Sequence, residues 1–447
     1  LTIKPTLNIG LDDTDSTKGG CTTYLAAVLV ERLTAFKVEF TDYPCLIRLN
    51  PNVPWKTRGN GALCLRFRFQ PELEAEIKDV AISLWEKHAE VKEKGTDPGL
   101  VFYKNAEIPN ELKVFSKRTE TSIVTLKEAM NLIKKLGAEA LGFNSCRGII
   151  GALASVGETL EKDYTYELIT YRTPENIGLK RRVDEASIFE MDKATAPYTF
   201  NNVDSEKRRV IITPRGPDPI LFGVRGETPE VVLKGFSIVK PKEPVERWII
   251  FRSNQGTDAH LTHADKLSEI LPYSSVIVKG VVSKDPRIIP LRHVIFSIKD
   301  DSAEVDCVAF EPTGNLRKIA RELITGDIVE VYGAVQKTKA NKTLTINLEK
   351  IRILNLAQKT QIENPMCIDC GKHLKSMGKN QGFRCEKCGS KYPQVKKKEK
   401  IIPRTLKTGL YLTSTRSQRH LTKPLTRYGQ EKTDESSYCL IDEWHSP

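Results

Sequence analysis

Cys367 and Cys370 are two residues apart, Cys385 and Cys388 are two residues apart, and fourteen residues lie between the pairs. Each pair is followed by a glycine, Gly371 or Gly389, which permits the tight turn that aims two thiolates at one ion. Two such knuckles supply four thiolates to a tetrahedral Zn2+ closed to substrate, so the predicted site is structural. With four cysteines available, His373 reads as a surface residue rather than a ligand. Ten cysteines in 447 residues are too few for a disulfide scaffold, and the chain is expected in the reducing cytoplasm. The ribbon is placed at residues 358–395. Residues 396–447, which open on "KKKEK" and continue rich in Ser, Thr and Arg, are expected to form a basic, flexible tail.

A ribbon of this size leaves most of the chain to be explained, and the length allows about three or four domains. The sequence holds 69 Lys and Arg against 57 Asp and Glu, a formal charge of +12, which suits a polyanionic partner, nucleic acid first. No apolar run approaches the roughly 18 residues that span a bilayer, so no membrane is expected. No obligate protein partner is evident.

The expected fold is α+β and multidomain. Residues 1–160 alternate strands and helices and read as an α/β catalytic domain. Strands are predicted at 7–11, 38–49 and 62–69, and helices at 21–33, 72–91 and 126–136. The stretch 142–157, "GFNSCRGIIGALASVG", has small residues that let a helix approach its neighbours closely. Residues 161–268 carry a βαββαβ order, the split ferredoxin-like pattern, with one inner strand at "RRVIITPR". Residues 269–357 hold five short β-rich runs with a helix between the third and fourth. An OB-fold barrel shows this order, and such barrels bind single-stranded or looped nucleic acid. A packing barrel of another kind is the alternative.

The chemistry is concentrated at residues 7–25, "LNIGLDDTDSTKGGCTTYL". Asp12, Asp13 and Asp15 follow a strand at its carboxyl end, where ligands collect in α/β sheets. Three carboxylates converge when a cation offsets their repulsion, and Mg2+ carrying nucleotide phosphates is the commonest such cation. Helix capping and turn formation are the competing explanation. Lys18, Gly19 and Gly20 read as a mobile basic loop and are candidates to bind the ATP phosphates. Thr22 and Thr23 open a helix whose free N–H groups attract phosphate, so a hydroxyl there is placed to receive a phosphoryl group. In "KTRGNGALCLRF", Asn60-Gly61 signals a tight hairpin turn, and Lys56, Arg58, Gly59 and Asn60 in the same loop are candidates to grip a phosphate. Arg147 is the corresponding candidate at the start of the small-residue helix.

Together, "GLDDTDSTKGGCTTYLA", "RLNPNVPWKTRGNGA", "GFNSCRGIIGALASVG", "DPILFGVRGETPE" and "RWIIFRSNQGTDAHL", followed by the barrel and the ribbon, closely resemble the archaeal isoleucine tRNA agmatinylcytidine synthetases. The likeness runs over about residues 8–390 and leaves the tail out. It implies a kinase-type first domain and an ATP-dependent ligase that joins agmatine to C2 of the wobble cytidine of the CAU-anticodon isoleucine tRNA. A phosphoryl group activates the cytidine carbonyl, and AMP and pyrophosphate are released. Carried over to this chain, the resemblance makes Asp12, Asp13 and Asp15 ligands of Mg-ATP and Thr22 a self-phosphorylated threonine.

A cytosine carbonyl is a poor electrophile until its oxygen becomes a leaving group, which phosphorylation achieves. The agmatine guanidinium wants a carboxylate and an aromatic face, for which Asp204, Asp218 and Phe222 are the candidates. The target base must leave its stack to react. Two rival readings remain: a phosphatase or nucleotide hydrolase using Asp13, and a non-enzymatic tRNA-binding module.

Overall fold

The computed structural model describes residues 4–338, 343–432 and 439–446. The first 260 residues build one ten-stranded sheet, continuous across two halves. In spatial order its main path runs Glu139–Gly142, Gly99–Tyr103, Thr6–Asp12, Gly61–Arg68 and Cys45–Arg48. It then continues through Val245–Ser253, Thr165–Arg172, Ile220–Gly226 and Thr199–Phe200. The seam between the halves is the sheet's parallel pairing, in which Arg252 stands beside Cys45 and Ser253 beside Leu46. Thr6–Asp12 has antiparallel neighbours on both sides. The carboxyl-end rule for parallel sheets therefore does not explain the aspartates' position; the turn that follows the strand does.

Strand Thr6–Asp12 and helices Thr22–Ala35 and Leu126–Leu136 form where the apolar pattern places them. Thr125 and Glu128 cap the last of these helices reciprocally, and Gly137 ends it in the left-handed conformation. The predicted strand over 38–49 is two strands, Glu39–Phe40 and Cys45–Arg48, because Pro44 and the bend before it interrupt pairing. Asn60-Gly61 is not a two-residue hairpin. Arg48 pairs directly with Gly61, so a twelve-residue excursion, 49–60, joins the strands, and only Asn60 has the positive φ of 46° that the motif anticipates.

The second half has the ferredoxin-like strand order, but its short edge strand is Thr199–Phe200 rather than "RRVIITPR". From that stretch only Arg209–Val210 is extended, and it pairs with Val203–Asp204 in a separate hairpin. Tyr198 and Glu227 close the edge instead through a backbone hydrogen bond.

The small-residue helix Gly148–Gly157 lies directly on the first strand. A Cβ on Gly10 would stand 2.1 Å from the Ala152 carbonyl oxygen, so only glycine allows this approach.

The barrel closes as the sequence order requires. Ser275–Ile289 pairs with His293–Lys299 and with Ile328–Lys337, and Glu304–Ala309 runs parallel to Leu344–Asn355. Helix Asn315–Arg321 sits between the third and fourth strands, as in an OB fold. Beyond the barrel, Thr360–Glu363 and Lys398–Ile401 form a two-stranded stalk that carries the ribbon.

The expectation of a flexible tail fails over most of its length; residues 433–438 and 447 lie outside the described residues. Lys398–Ile401 is paired, and Gly409–Leu412 adds a strand to the barrel. Arg416 Nη1 meets Asp204 at 2.7 Å, and buried Arg427 bridges Asp163 at 2.8 Å and Glu227 at 2.6 Å. Trp444 inserts between Phe40 and Tyr43 in the main core. Composition suggests a solvated segment because its apolar residues are few. The segment is held by arginines that neutralise carboxylates buried in the body, a pairing composition does not reveal.

Candidate functional site

A cavity of about 460 Å³ opens where the two halves of the sheet meet. Asp12, Asp13, Asp15 and Thr22 line it, as do Lys56, Arg58, Gly59, Asn60, Arg147 and Asp218. The turn after the first strand is built from its own side chains. Asp13 takes a positive φ of 54°, its N–H donates to Asp12 Oδ1 at 2.8 Å, and its carboxylate accepts from Thr57 Oγ1 at 3.1 Å and from Asp97 N–H at 2.8 Å. Asp97 also pairs with Arg147, whose guanidinium lies 5.2 Å from the ring centre of Trp55, a cation–π contact at the cavity wall.

Arg58 ties the halves together. Its Nε donates to Asp15 at 2.7 Å, Nη1 to Asp218 at 3.1 Å, and Nη2 to the Gly20 carbonyl at 2.8 Å. Thr22 Oγ1 accepts from Thr14 Oγ1 at 3.0 Å and stands 3.5 Å from Asp15 Oδ1. Thr23, the weaker candidate, contacts Cys21 Sγ at 3.0 Å.

Burial drives the Asp12 carboxyl well above the usual carboxylate range, and the charge of Asp13 adds to the shift. Burial likewise pushes Asp13 up to about 6, with Asp15 contributing and the Asp97 N–H opposing. Carboxylates so crowded favour a proton or a bound cation.

Five predicted residues fall elsewhere. Lys18 is exposed and reaches Glu93 at 2.8 Å, while Gly19 and Gly20 belong to a turn tied by Ser16, whose Oγ accepts from the N–H groups of residues 18 and 19. The loop is therefore pinned rather than free, and neither glycine lines the cavity. Asp204 is buried against Arg416, and Phe222 lies in the core, stacked on Phe236 at 6.2 Å. Of the three residues proposed for a guanidinium, only Asp218 reaches the cavity, and Arg58 and Arg181 already pair with it.

Arg48, Trp55, Glu167, Arg225 and His420 also line the cavity, and no motif in the sequence marks them. Glu167 and Arg225 carry a faint signal, since a charged residue in an otherwise apolar strand reports a buried polar partner. His420, in the tail, carries none.

In the ribbon, the sulfurs of Cys367, Cys370, Cys385 and Cys388 lie within 4.8 Å of one another. Four thiolates at about 2.3 Å from one Zn2+ require sulfurs roughly 3.8 Å apart, so the set fits that ion. His373 turns to the Asn364 carbonyl, outside the set.

Four family models match in sequence order: the TiaS TCKD domain over residues 8–145, the TiaS FLD domain over 146–260, an OB-fold nucleic acid binding domain over 276–354, and the TiaS C-terminal zinc ribbon domain over 364–406. A 2-agmatinylcytidine synthetase of isoleucine tRNA, TiaS, from Methanosarcina mazei is 41% identical over 433 residues, covering 95% of this chain and 98% of that protein. The chain belongs to the TiaS family. The TiaS of Pyrococcus horikoshii is 43% identical, covering 94% of this chain and 96% of its own. A TiaS crystal structure in complex with its isoleucine tRNA and ATP superposes with a TM-score of 0.86 at 40% identity, covering 95% and 97% of the two chains. Another, holding tRNA, an ATP analogue and agmatine, gives 0.83 at 38% with the same coverage. The first half of the TiaS fold ends at residue 145 in the family models, just before the small-residue helix, which they assign to the second.

That helix supplies a test of the site. A Cβ on Gly151 would stand 1.9 Å from Asp12 Oδ2 and 2.9 Å from Leu49 Cδ1. Gly151→Ala is expected to displace Asp12 and lower ATP turnover by about 10- to 100-fold, the scale of a misplacement near 1 Å. Circular dichroism should remain native; unchanged turnover would mean that the position of Asp12 is immaterial.

Proposed function

We propose that this chain is an ATP-dependent ligase that joins agmatine to C2 of the wobble cytidine of the CAU-anticodon isoleucine tRNA, with the phosphoryl group that activates the cytidine drawn from ATP. The observation that carries the reading is the cavity itself. Three crowded carboxylates and the Thr22 hydroxyl share one chamber in a chain of which 95% aligns with a TiaS protein.

Asp12, Asp13 and Asp15 would hold Mg2+, which brings ATP phosphates against them and screens their repulsion. Thr22 begins helix Thr22–Ala35, so unpaired N–H groups face an incoming phosphate. Asp15 is the group placed to receive the Thr22 proton if that hydroxyl takes a phosphoryl group. Arg58 fixes the position of Asp15 and ties it to Asp218 on the other half of the sheet. The cytidine oxygen, once phosphorylated, leaves as phosphate when the neutral agmatine amine attacks C2, and the amine proton is lost to solvent or to a carboxylate. The excess of positive charge and the barrel suit the tRNA, and a tRNA substrate supports a cytoplasmic enzyme.

Incubation with labelled agmatine, ATP and a CAU-anticodon transcript is expected to label the RNA. Phosphate release without RNA or agmatine would favour the phosphatase reading, and RNA binding without ATP consumption the module.

Asp13 also sets a pH dependence. Its raised value means that the folded chain binds a proton more tightly than the unfolded chain, so the ionised carboxylate destabilises the cation-free fold as pH rises through about 6. Below about 6 the same proton competes with the cation. Mg-ATP affinity is expected to fall as pH drops from 7 to 5 and to be flat above 7; calorimetric titration showing no change across that range would remove Asp13 from the cation site.

A further inference from the structure

Besides the aspartates, the cavity is lined by Arg48, Lys56, Glu167, Arg225 and His420. Glu167 and Arg225 face each other in register on adjacent strands, and Arg225 Nε donates to Glu167 Oε1 at 2.9 Å. The other carboxylate oxygen accepts from Gln255 and stands 4.0 Å from Arg48 Nη2. Burial alone would raise the Glu167 pKa, but Arg225 and Arg48 hold it below the usual range, so it is ionised. One carboxylate thus serves two guanidiniums, and Arg48 Nε has no hydrogen-bond partner among the described residues. Lys56 adds a third cation to the same wall.

His420 closes this wall from the C-terminal segment. Its carbonyl accepts from the Gly256 N–H at 2.8 Å, and the Leu421 carbonyl accepts from Asp258 N–H at 2.8 Å, so the segment is pinned on both sides. Arg225 Nη2 lies 3.1 Å from His420 Nδ1, and Gln255 Oε1 is at the same distance from that nitrogen. A guanidinium has only protons to give, so Nδ1 is the acceptor in the Arg225 contact. A Cβ on Gly59 would stand 2.9 Å from both Arg48 Nη1 and His420 Nε2, so the two side chains converge over a backbone with no side chain of its own.

We infer that Arg48 and Arg225, with Lys56 beside them, form a phosphate-binding subsite distinct from the aspartate loop, and that His420 is the positioning residue that holds Arg225 in it. The ligand is an anionic phosphate group. Guanidinium forks match phosphate oxygens bidentately, and an anion would satisfy the surplus charge and the unpartnered Arg48 nitrogen. The subsite deepens the ligase reading and rests on it for its role: three carboxylates cannot stabilise a departing phosphate by themselves, and two arginines can. Two sources fit the chemistry, the phosphate or pyrophosphate set free in the reaction and a backbone phosphate of the RNA.

The test is calorimetric titration of the full chain with inorganic pyrophosphate and, separately, with an anticodon stem-loop RNA. Arg225→Gln and His420→Leu are expected to weaken one of the two by about tenfold or more, the scale of a lost charge-assisted contact. His420→Asn, which keeps an acceptor for Arg225, should stay within about threefold of the wild type. Loss in the pyrophosphate titration identifies the released anion as the ligand; loss confined to RNA identifies the backbone phosphate. If Arg225→Gln melts, Arg48→Gln reads the same binding. Unchanged affinity for both ligands in the arginine variants, or equal loss in His420→Leu and His420→Asn, overturns the proposal. A wild-type chain that binds pyrophosphate but never incorporates agmatine leaves the subsite standing and removes the ligase reading.

Discussion

Asp13→Asn is expected to lower ATP consumption and agmatine incorporation by about 100- to 1000-fold, the range seen when one electrostatic contact to a reacting centre is removed. The substitution keeps the size of the side chain; its amide oxygen can still accept from the Asp97 N–H, and its NH2 would face the Thr57 hydroxyl, which can turn to accept, so the turn should survive. What it removes is one of three charges. In the cation-free protein that removal relieves repulsion, because burial holds Asp12 and Asp13 above the usual carboxylate range, with the charge of Asp13 adding to the shift of Asp12 and that of Asp15 to the shift of Asp13. The variant should therefore be at least as stable as the parent while losing activity, a combination that separates a working carboxylate from a structural one. RNA affinity should stay within about twofold, since it depends on basic side chains meeting phosphates. Filter binding and a labelled-ATP assay on the same preparation decide the matter; parallel loss of RNA binding and ATP consumption would make the turn merely architectural.

The second large effect lies in the ribbon. Its apolar core consists of Cys367, Leu374, Phe383 and Cys385, with Cys370 and Tyr392 packed against them. So small a cluster cannot offset the backbone entropy of some forty residues. Metal binding can, at about 10–16 kcal/mol for four-ligand zinc modules. Cys385→Ser, or a strong chelator, is expected to abolish zinc binding and to unfold residues 364–397. The rest of the chain should keep its melting temperature, because the ribbon joins it through the two-stranded stalk. Elemental analysis and limited proteolysis check both halves of the statement. A ribbon that resists protease with no metal bound would show that its peptide contacts suffice.

The contrast between the two sites explains what can be read without coordinates. The zinc ligands lie within 22 residues of one another, so spacing alone confines them, and the structure brings all four together. The aspartate turn is equally local: a buried strand, an abrupt run of acid and a helix start are contiguous, and the structure places them in that order. The barrel is legible for a related reason. Its strands alternate every second residue, and its helix interrupts them at a diagnostic point.

Residues whose placement depends on distant partners have the opposite property. Phe222 offers an aromatic face in sequence, yet its position in a strand covered by Phe236 sends it to the core. The charge of Asp204 is consumed by Arg416, 212 residues away in the chain. Lys18 belongs to a loop that Ser16 turns toward Glu93.

Local periodicity and ligand spacing, then, determined the metal module, the acidic turn and the order of elements in the barrel and most of the ferredoxin-like half, because each of those signals lies within a few residues. Tertiary structure alone decided that the two N-terminal halves share one sheet, that Arg48, Glu167 and Arg225 meet in its cavity, and that the basic tail folds back to deliver His420. Those contacts join residues tens to hundreds of positions apart. The free energy that selects them comes from pairing buried charges and closing a shared core, and neither quantity has a period that a single sequence displays.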